Sequence, residues 1–509
     1  MGFKIEENVL IKYTEEEGVN EVIIPDGVTE IGNEAFKNCK SITSVTVPEG
    51  VIKIGIAAFY GCSALIGIDL PDSLTTVRER AFSECESLSA ITLPNGVTEI
   101  NDYIFDGCTA LEKITLSDKV SSIGKYSFYR TPWFENHEGA FLVVGEGILI
   151  NYKSYEREVV IPDNVRIIGK NAFERCIRIQ SVTFSESVEI IDEFSFADCT
   201  GIKSLTIPEN IRRINAGAFR GCTGLKEVTV SEGLTDVESF VFEMCTALES
   251  VTLPDSLKKI SRGFFSCCTQ LRSVKLPKNL TEIKANAFFR CYSLKELDIP
   301  DSLTEIGEMA FAYCVELAGF ETEGAINVVE EEAFSDCENL SVIILGGGAE
   351  RIKSNAFSRC KKLRSLVIPY RQISCFRDNL EMALITGFTE NEDKFSADMK
   401  EDYLSYISRR DKAVVAYAIH SNNMELLHYL CQHKLITLVN IEECTDLAAN
   451  SGNVEISAML LEYRDKTFTS EEIEGEAQRK LEEELNYDPF SVAEIEKDWC
   501  YSKKEDGSI

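Results

Sequence analysis

Positive charge is what this chain has least of for its size. Its 509 residues carry 52 Lys and Arg against 84 Asp and Glu, a formal net charge of −32. A nucleic-acid backbone or an anionic membrane surface needs a basic footprint, so neither is expected as a partner. Neutral and basic proteins remain open. Long apolar runs are also missing. The best window, residues 139–152, is broken by Glu146, and no membrane insertion is expected from a stretch that short. The opening residues 1–26 hold Glu6, Glu7, Glu15, Glu16 and Glu17 without a basic flank or an apolar run, unlike a secretory leader. A cytoplasmic location is expected, and an extracellular or cell-surface one only if a leader has been removed.

Catalytic equipment is sparse as well. There are four His, and none sits in a His-Glu-x-x-His setting. No Gly-x-Ser-x-Gly, phosphate loop or dinucleotide glycine motif occurs. Gly346-Gly-Gly348 has no Lys-Ser/Thr after it. His428 and Cys431 stand one helical turn apart with no third ligand in view. The expectation is no enzyme, no metal and no cofactor. What the chain does have is core: it is 44% hydrophobic and 9% aromatic, too apolar for a disordered chain.

Fixed-period repetition decides the fold. A Phe, usually after Ala, recurs every 23 residues from Phe36 to Phe128 and from Phe173 to Phe357, with a single step of 45 between Phe128 and Phe173. Three residues after each Phe stands a Cys in 13 of 14 units, Thr131 being the substitute. Leu or Ile follows after three more, and then an alternating pair such as Val45/Val47, the period of a half-buried strand. Pro48, Pro71, Pro94, Pro208, Pro254, Pro277 and Pro300 close these strands, where the chain must stop donating to a ladder. A second apolar pair, such as Val97/Ile100, leads to the next Phe. A 23-residue unit cannot bury these side chains alone, so neighbours must cover one another. The fold expected is a β-rich solenoid of about 14 coils, roughly 67 Å of array at about 4.8 Å per coil.

The unit from Leu88 to Leu111, Leu-x-x-Ile-x-Leu-Pro-x-x-Val-x-x-Ile-x-x-x-Ile-Phe-x-x-Cys-x-x-Leu, resembles the BspA-type leucine-rich repeats, and the resemblance covers about residues 20–369. It implies a curved leucine-rich repeat solenoid and a binding protein of the kind found in bacteria and protozoa, often on cell surfaces.

The 45-residue step has its own pattern. Phe3 to Tyr13, leading to Pro25, is echoed by Phe141 to Tyr152, leading to Pro162, with Thr131-Pro132-Trp133 at the break. Two β-hairpins are expected, one capping the N-terminus (residues 1–25) and one inserted near residues 129–162 of a solenoid spanning 26–369.

Three readings of the 13-Cys column can be weighed. Bridges between coils fit in distance, but ladder side chains run parallel and 13 is odd. A metal chain would need clustered Cys pairs. Free buried thiols, small and weakly bonded to backbone turns, are the expectation, and such a ladder fits a reducing compartment.

Two surface features are candidate binding surfaces. Thr46, Thr92, Thr115, Thr183, Thr206, Thr229 and Thr252 occupy one outward column of the first strand row. This is either a recognition stripe or simply the β-branched residue an exposed strand favours. In the second row, Arg212, Arg213, Lys258 and Lys259, with Arg166 and Arg262, form a basic run in an acidic protein. It is either a solvated face or a grip for an acidic partner.

After Pro369 the period stops and residues 370–465 read as helices. Lys412 to Leu430 is echoed 30 residues on from Glu442, each half ending a small-residue helix at Ser-x-Asn. Leu447-Ala-Ala-x-x-Gly-Asn-x-Glu-Ile resembles ankyrin repeats, though the step is 30 and the Thr-Pro-Leu-His opening is absent. Residues 466–509 read as an acidic helical tail, with Trp499 as an anchor onto the helices or a partner. The function expected is a non-enzymatic protein–protein interaction scaffold using solenoid and helical module, with a protein partner. The alternative is a cell-surface or secreted adhesin for a host protein or glycan.

Overall fold

A computed structural model describes residues 2–346, 351–353, 355–368 and 379–485. Gly347, Gly348, Trp499 and the end of the tail, 486–509, lie outside the described residues. The chain divides into two compact units, Met1–Leu363 and Arg364–Ile509.

The first unit is the solenoid. Most coils hold a three- or four-residue strand, a turn, a two-residue strand and a corner carrying the Phe and Cys; the first strand lengthens at Gly319–Ala325 and Val342–Gly346, and none is assigned at 295–299. Strands pair in parallel at a register of 23: Glu21–Ile23, Ser44–Thr46 and Gly67–Asp69 align Val22, Val45 and Ile68. Ser204–Ile207, Glu227–Val230, Ser250–Thr252 and Ser273–Lys275 do the same. Alternation decides which side chains go in. Val45 is buried and Thr46 exposed, so a one-residue slip would reverse the two faces.

At the corner the Phe rings stack into a column, for example Phe173 on Phe196 at 4.6 Å and Phe196 on Phe219 at 5.2 Å. The Cys column lies beside it. From Cys62 to Cys360, Cys176 and Cys267 apart, the thiols donate to the Phe carbonyl of the preceding coil at 3.0 to 3.3 Å. Every described Cys is free. Burial pushes the Cys39 thiol up to about 12 and the Cys176 thiol up to about 11, and it moves Cys222 and Cys245 well upward. Cys39 and Cys176 begin their arrays and have no preceding Phe carbonyl. Cys267, neighbour to the ladder member Cys268, occupies an outer corner position.

The corner demands a backbone that residue types alone do not announce. Two residues before and two after each Phe the chain turns left-handed, as at Glu34 (φ 56°), Asn38 (φ 60°), Phe240 (φ 62°) and Met244 (φ 60°). Gly61, Gly107, Gly217 and Gly221 fill the same positions without strain. The conformation costs a non-glycine residue about 1–2 kcal/mol. It is held by N–H groups that all point to the next coil: Glu34, Phe36 and Asn38 donate to Ile56, Ala58 and Tyr60 at 2.9, 2.7 and 2.8 Å. Met244 is 45% exposed. Met244→Gly is therefore expected to raise stability by about 0.5–1 kcal/mol, the strain relieved less the extra backbone entropy lost. A urea midpoint that falls would refute this account of the corner.

Both starter modules form antiparallel hairpins, Phe3–Glu6 with Val9–Tyr13 and Phe141–Val144 with Ile148–Tyr152. Each feeds its second strand into the second strand row, Val9/Leu10 beside Glu30/Ile31 and Ile148/Leu149 beside Ile167/Ile168. Each also ends in a Tyr that extends the Phe column: Tyr13 lies 5.0 Å from Phe36 and Tyr152 4.8 Å from Phe173. Ahead of the inserted hairpin runs a short helix, α1 (Pro132–Glu135). Thr131 caps it, accepting from the Phe134 N–H, and Pro132 stands in its first turn. Here the Cys column gives way to Thr because a helix start needs a side-chain oxygen that a thiol supplies poorly.

The second unit is helical after its opening strand Ser365–Val367. Its helices are α2 (Asn379–Glu390), α3 (Ala397–Arg409), α4 (Asp411–His420), α5 (Met424–Gln432), α6 (Ile441–Ser451), α7 (Val454–Thr467) and α8 (Ser470–Leu485). The sequence boundary at 465/466 falls inside α7. A Cβ on Gly387 would come within 2.5 Å of the Leu366 carbonyl, so α2 lies directly on that strand. The 30-residue echo is a pair of helix pairs, α4/α5 and α6/α7, each pair packed together and α4 packed on α6. Asn423 and Asn453 cap α5 and α7 through side-chain oxygens. Glu381 is buried in this unit and bonded by the Tyr406 hydroxyl at 2.7 Å and Arg410 Nε at 3.1 Å. His428 is exposed, while Cys431 lies 4.0 Å from the Met459 sulfur, and no cluster of three or more metal-ligating side chains includes them among the described residues.

Candidate binding surfaces

The Thr column is a real stripe on the solenoid. Thr206, Thr229 and Thr252 stand opposite one another on successive strands, with Lys275 next. Thr92 faces Thr115, Thr46 lies between Ile23 and Asp69, and Thr183 faces Val160. All seven are exposed except Thr252, which is half-buried. At the head of each array an apolar residue takes the same column, Ile23 at 74% exposure and Val160 at 66%.

The basic run lies in the second strand row, across the Pro-containing turn from the stripe, and it is partly spent on neighbours. Arg213 pairs with Asp236 at 2.9 Å, and Arg166 with Glu146 and Glu189 at 3.2 and 3.4 Å. Arg212, Lys258 and Lys259 are exposed and have no ion pair among the described residues. A shallow dimple of about 270 Å³ at Thr235, Ser256, Lys258 and Lys259 adjoins them. The two candidate sets therefore form separate rows and do not converge on one pocket.

The site that residue types did not reveal is at the break. A cleft of about 520 Å³ opens between the corner of the fifth coil and the first corner after the inserted hairpin. One wall carries Tyr103, Tyr126 and Tyr129, and the other Lys170, Asn171, Glu174 and Arg175, with Asn151 at the base. Tyr126 lies 5.6 Å from both Tyr103 and Tyr129. Burial first, and then the Glu174 carboxylate across the cleft, raises the Tyr126 phenol. Lys125 spans the mouth, with its ammonium 5.1 Å from the Tyr126 ring and 5.7 Å from Phe194 in the second array. The 45-residue step in the Phe column was the sequence signal for it.

Parallel strands at a register of 23, a stacked Phe column and a thiol ladder define a leucine-rich repeat solenoid. The chain belongs to the BspA type Leucine rich repeat region family, whose profile matches residues 12–134, 151–272 and 258–380. The unmatched stretch, 135–150, coincides with most of the insertion at the break. Similar solved structures include a leucine-rich repeat protein from Eubacterium ventriosum, 23% identical over 60% of this chain and 88% of that one, with a TM-score of 0.42. Another, from Bacteroides ovatus, is 24% identical over 72% and 91%, with a TM-score of 0.34. A leucine rich cell surface protein from Faecalibacterium prausnitzii is 22% identical over 76% and 95%, with a TM-score of 0.30. A comparison with curated proteins finds no match. No helix among the described residues is long and apolar enough to cross a membrane.

Proposed function

We propose that the chain is a non-enzymatic scaffold that binds a protein along the solenoid, with the ankyrin-like helix pairs of residues 370–465 offering a second surface. The observation that carries this reading is the in-register row Thr206, Thr229 and Thr252, exposed or half-exposed on adjacent strands. Such a row offers hydroxyls and methyls at a fixed spacing, and the uncompensated Arg212 and Lys258 in the neighbouring row favour an acidic face on the partner. Each coil's frame is constant while its outward residues vary, so specificity lies in those columns. The thiol ladder supports a reducing, intracellular setting.

The test is capture from lysate of the source organism by the full chain and by two surface variants. Thr206→Lys with Thr229→Lys is expected to lower retention of the specific partner at least about tenfold, a change of about 1.4 kcal/mol. Arg212→Glu with Lys258→Glu is expected to weaken it further at low salt than at high salt. Retention of the same partners by both variants would sink the reading.

A further inference from the structure

In an uninterrupted stretch of the solenoid each corner is covered on both sides. Its N–H groups at the Phe and at the two left-handed positions donate to the next coil, and its carbonyls accept from the previous one. Tyr103, Phe105 and Gly107 thus donate to Lys125, Ser127 and Tyr129 at 2.9, 2.9 and 3.1 Å. After Arg130 the pattern stops. The equivalent N–H groups of Tyr126, Phe128 and Arg130 have no partner among the described residues. On the far side of the break, Asn171, Phe173 and Arg175 donate onward to Glu193, Ser195 and Ala197. Of the carbonyls that should accept from a preceding corner, only Ala172 is used, by the Tyr152 N–H at 3.0 Å. Those of Lys170 and Glu174 accept from none of the described residues.

The inserted hairpin is responsible. It supplies a strand to the second strand row and an aromatic ring to the Phe column, but no corner. At the N-terminus the same module leaves the first corner open on one side only. Inside the solenoid it leaves two edges facing each other, donors on one and acceptors on the other, and Tyr126, Phe128, Lys170 and Glu174 of these edges line the cleft.

We propose that this cleft binds a short, turned peptide segment of a partner protein, whose backbone takes the place of the missing corner by accepting from Tyr126, Phe128 and Arg130 and donating to Lys170 and Glu174. The proposal rests on the reading of the chain as a binder of proteins. The donors at alternate residues over 126–130 lie on a turned corner, where the Tyr129 and Thr131 N–H groups bond the Tyr126 and Phe128 carbonyls at 3.3 Å each, so a segment of about five residues in a like turn matches them. Unpaired peptide groups on both walls call for another peptide, because only a backbone offers acceptors and donors alternating at that spacing. The segment is uncharged at its centre, since the charges on the cleft walls have partners, Arg130 held by Glu84 and Asp106 at 2.7 and 3.0 Å, Lys170 by Glu193 at 3.5 Å, and Arg175 by Glu174 and Asp198 at 3.8 Å each, and Lys125 at the mouth lies over rings. An aromatic or apolar side chain fits against the rings of Tyr126 and Tyr129.

The experiment pans a random linear heptapeptide phage library on the immobilised full chain, and then measures an enriched synthetic peptide by calorimetry. Micromolar binding is expected, weakened at least tenfold by Tyr129→Ala, a half-exposed residue whose loss leaves the fold intact, and equally by N-methylation of the peptide's central amides. Bound peptide should slow hydrogen exchange at Tyr126, Phe128 and Arg130. Failure to enrich any peptide overturns the proposal, as does binding indifferent to both changes. So does a glucose hexasaccharide that protects those amides where peptides do not. Thr206→Lys with Thr229→Lys separates the two readings. A partner captured by the full chain and lost with this variant, while no peptide binds the cleft, removes the cleft alone, whereas failure of the full chain to capture any partner removes the scaffold reading as well.

Discussion

Raising the pH past about 9 is expected to unfold this protein in one steep step. The cause is the thiol ladder. Burial raises Cys39, Cys176 and Cys360 to about 12, 11 and 12, and it moves Cys222, Cys245, Cys291 and Cys337 well above the ordinary value of 9.0. In the unfolded chain the same thiols ionise near their ordinary value. Below it both states hold their protons and the folded state keeps its full stability. Above it the unfolded chain releases protons that the folded one retains, so stability falls as pH rises toward the folded values. Each thiol then costs about 1.4 kcal/mol per pH unit, and about seven of them acting together exceed the 5–15 kcal/mol typical of a domain within one to two units. Thiolate absorbance at 240 nm and loss of circular dichroism should appear together, near pH 10 to 11. A gradual thiolate titration centred near 9 with the fold intact would show that the ladder is not sealed. Cys245→Ala, which removes one such group, should move the transition to higher pH.

Cutting the Phe column at its middle should have the largest effect of any single substitution. Phe219 is fully buried between Phe196 and Phe242, 5.2 and 5.5 Å away with rings nearly parallel. Phe219→Ala is expected to cost about 3–5 kcal/mol. The loss falls on two coil-to-coil interfaces at once, and in a solenoid those interfaces carry the cooperativity. Guanidinium unfolding should therefore change from one transition to two, with the coils on either side of residue 219 melting separately. A single transition shifted by under about 1 kcal/mol would mean that the rings are less coupled than their stacking indicates.

Much of this was legible in the sequence because the repeat writes the same physical requirement 14 times. Phe, Cys and the strand alternation are demanded at every coil, and period alone exposes them. The hairpins were legible for the same reason, since the Phe3 and Phe141 stretches share one pattern. The left-handed corner was not. Gly61, Gly107, Gly217 and Gly221 hint at it, but Glu34, Arg80 and Met244 hold the same backbone because the ladder of N–H bonds offsets their strain, and such bonds leave no mark on residue type. The cleft was hidden for the same reason: the step of 45 marks its place, whereas its unpaired groups belong to the main chain. Thr131 was visible as an exception to the Cys column, but its role as a cap needed α1 in view. The Thr and Arg/Lys columns could be placed on the surface but not brought together, because strand register fixes rows and says nothing of what lies across a turn.

N–H groups of the strand rows, such as those of Ile52 and Gly55, donate backward to Thr29 and Ile31, but the one-way sense of the corner bonds gives the corner face of each array an electrical polarity. Their peptide dipoles add head to tail, as in a helix, but in the first array the N–H groups without a partner among the described residues stand at the last corner, and carbonyls without one stand at the first, the reverse of an α-helix. The break at residue 130 thus sets the positive end of one array against the negative end of the next. Coils could be spliced in there only in the same direction. Whole chains joining end to end would have to do so head to tail as well, the arrangement that grows without closing. The hairpin of residues 3–13 closes part of the first coil's end, laying its Tyr13 N–H on the Ala35 carbonyl at 2.7 Å.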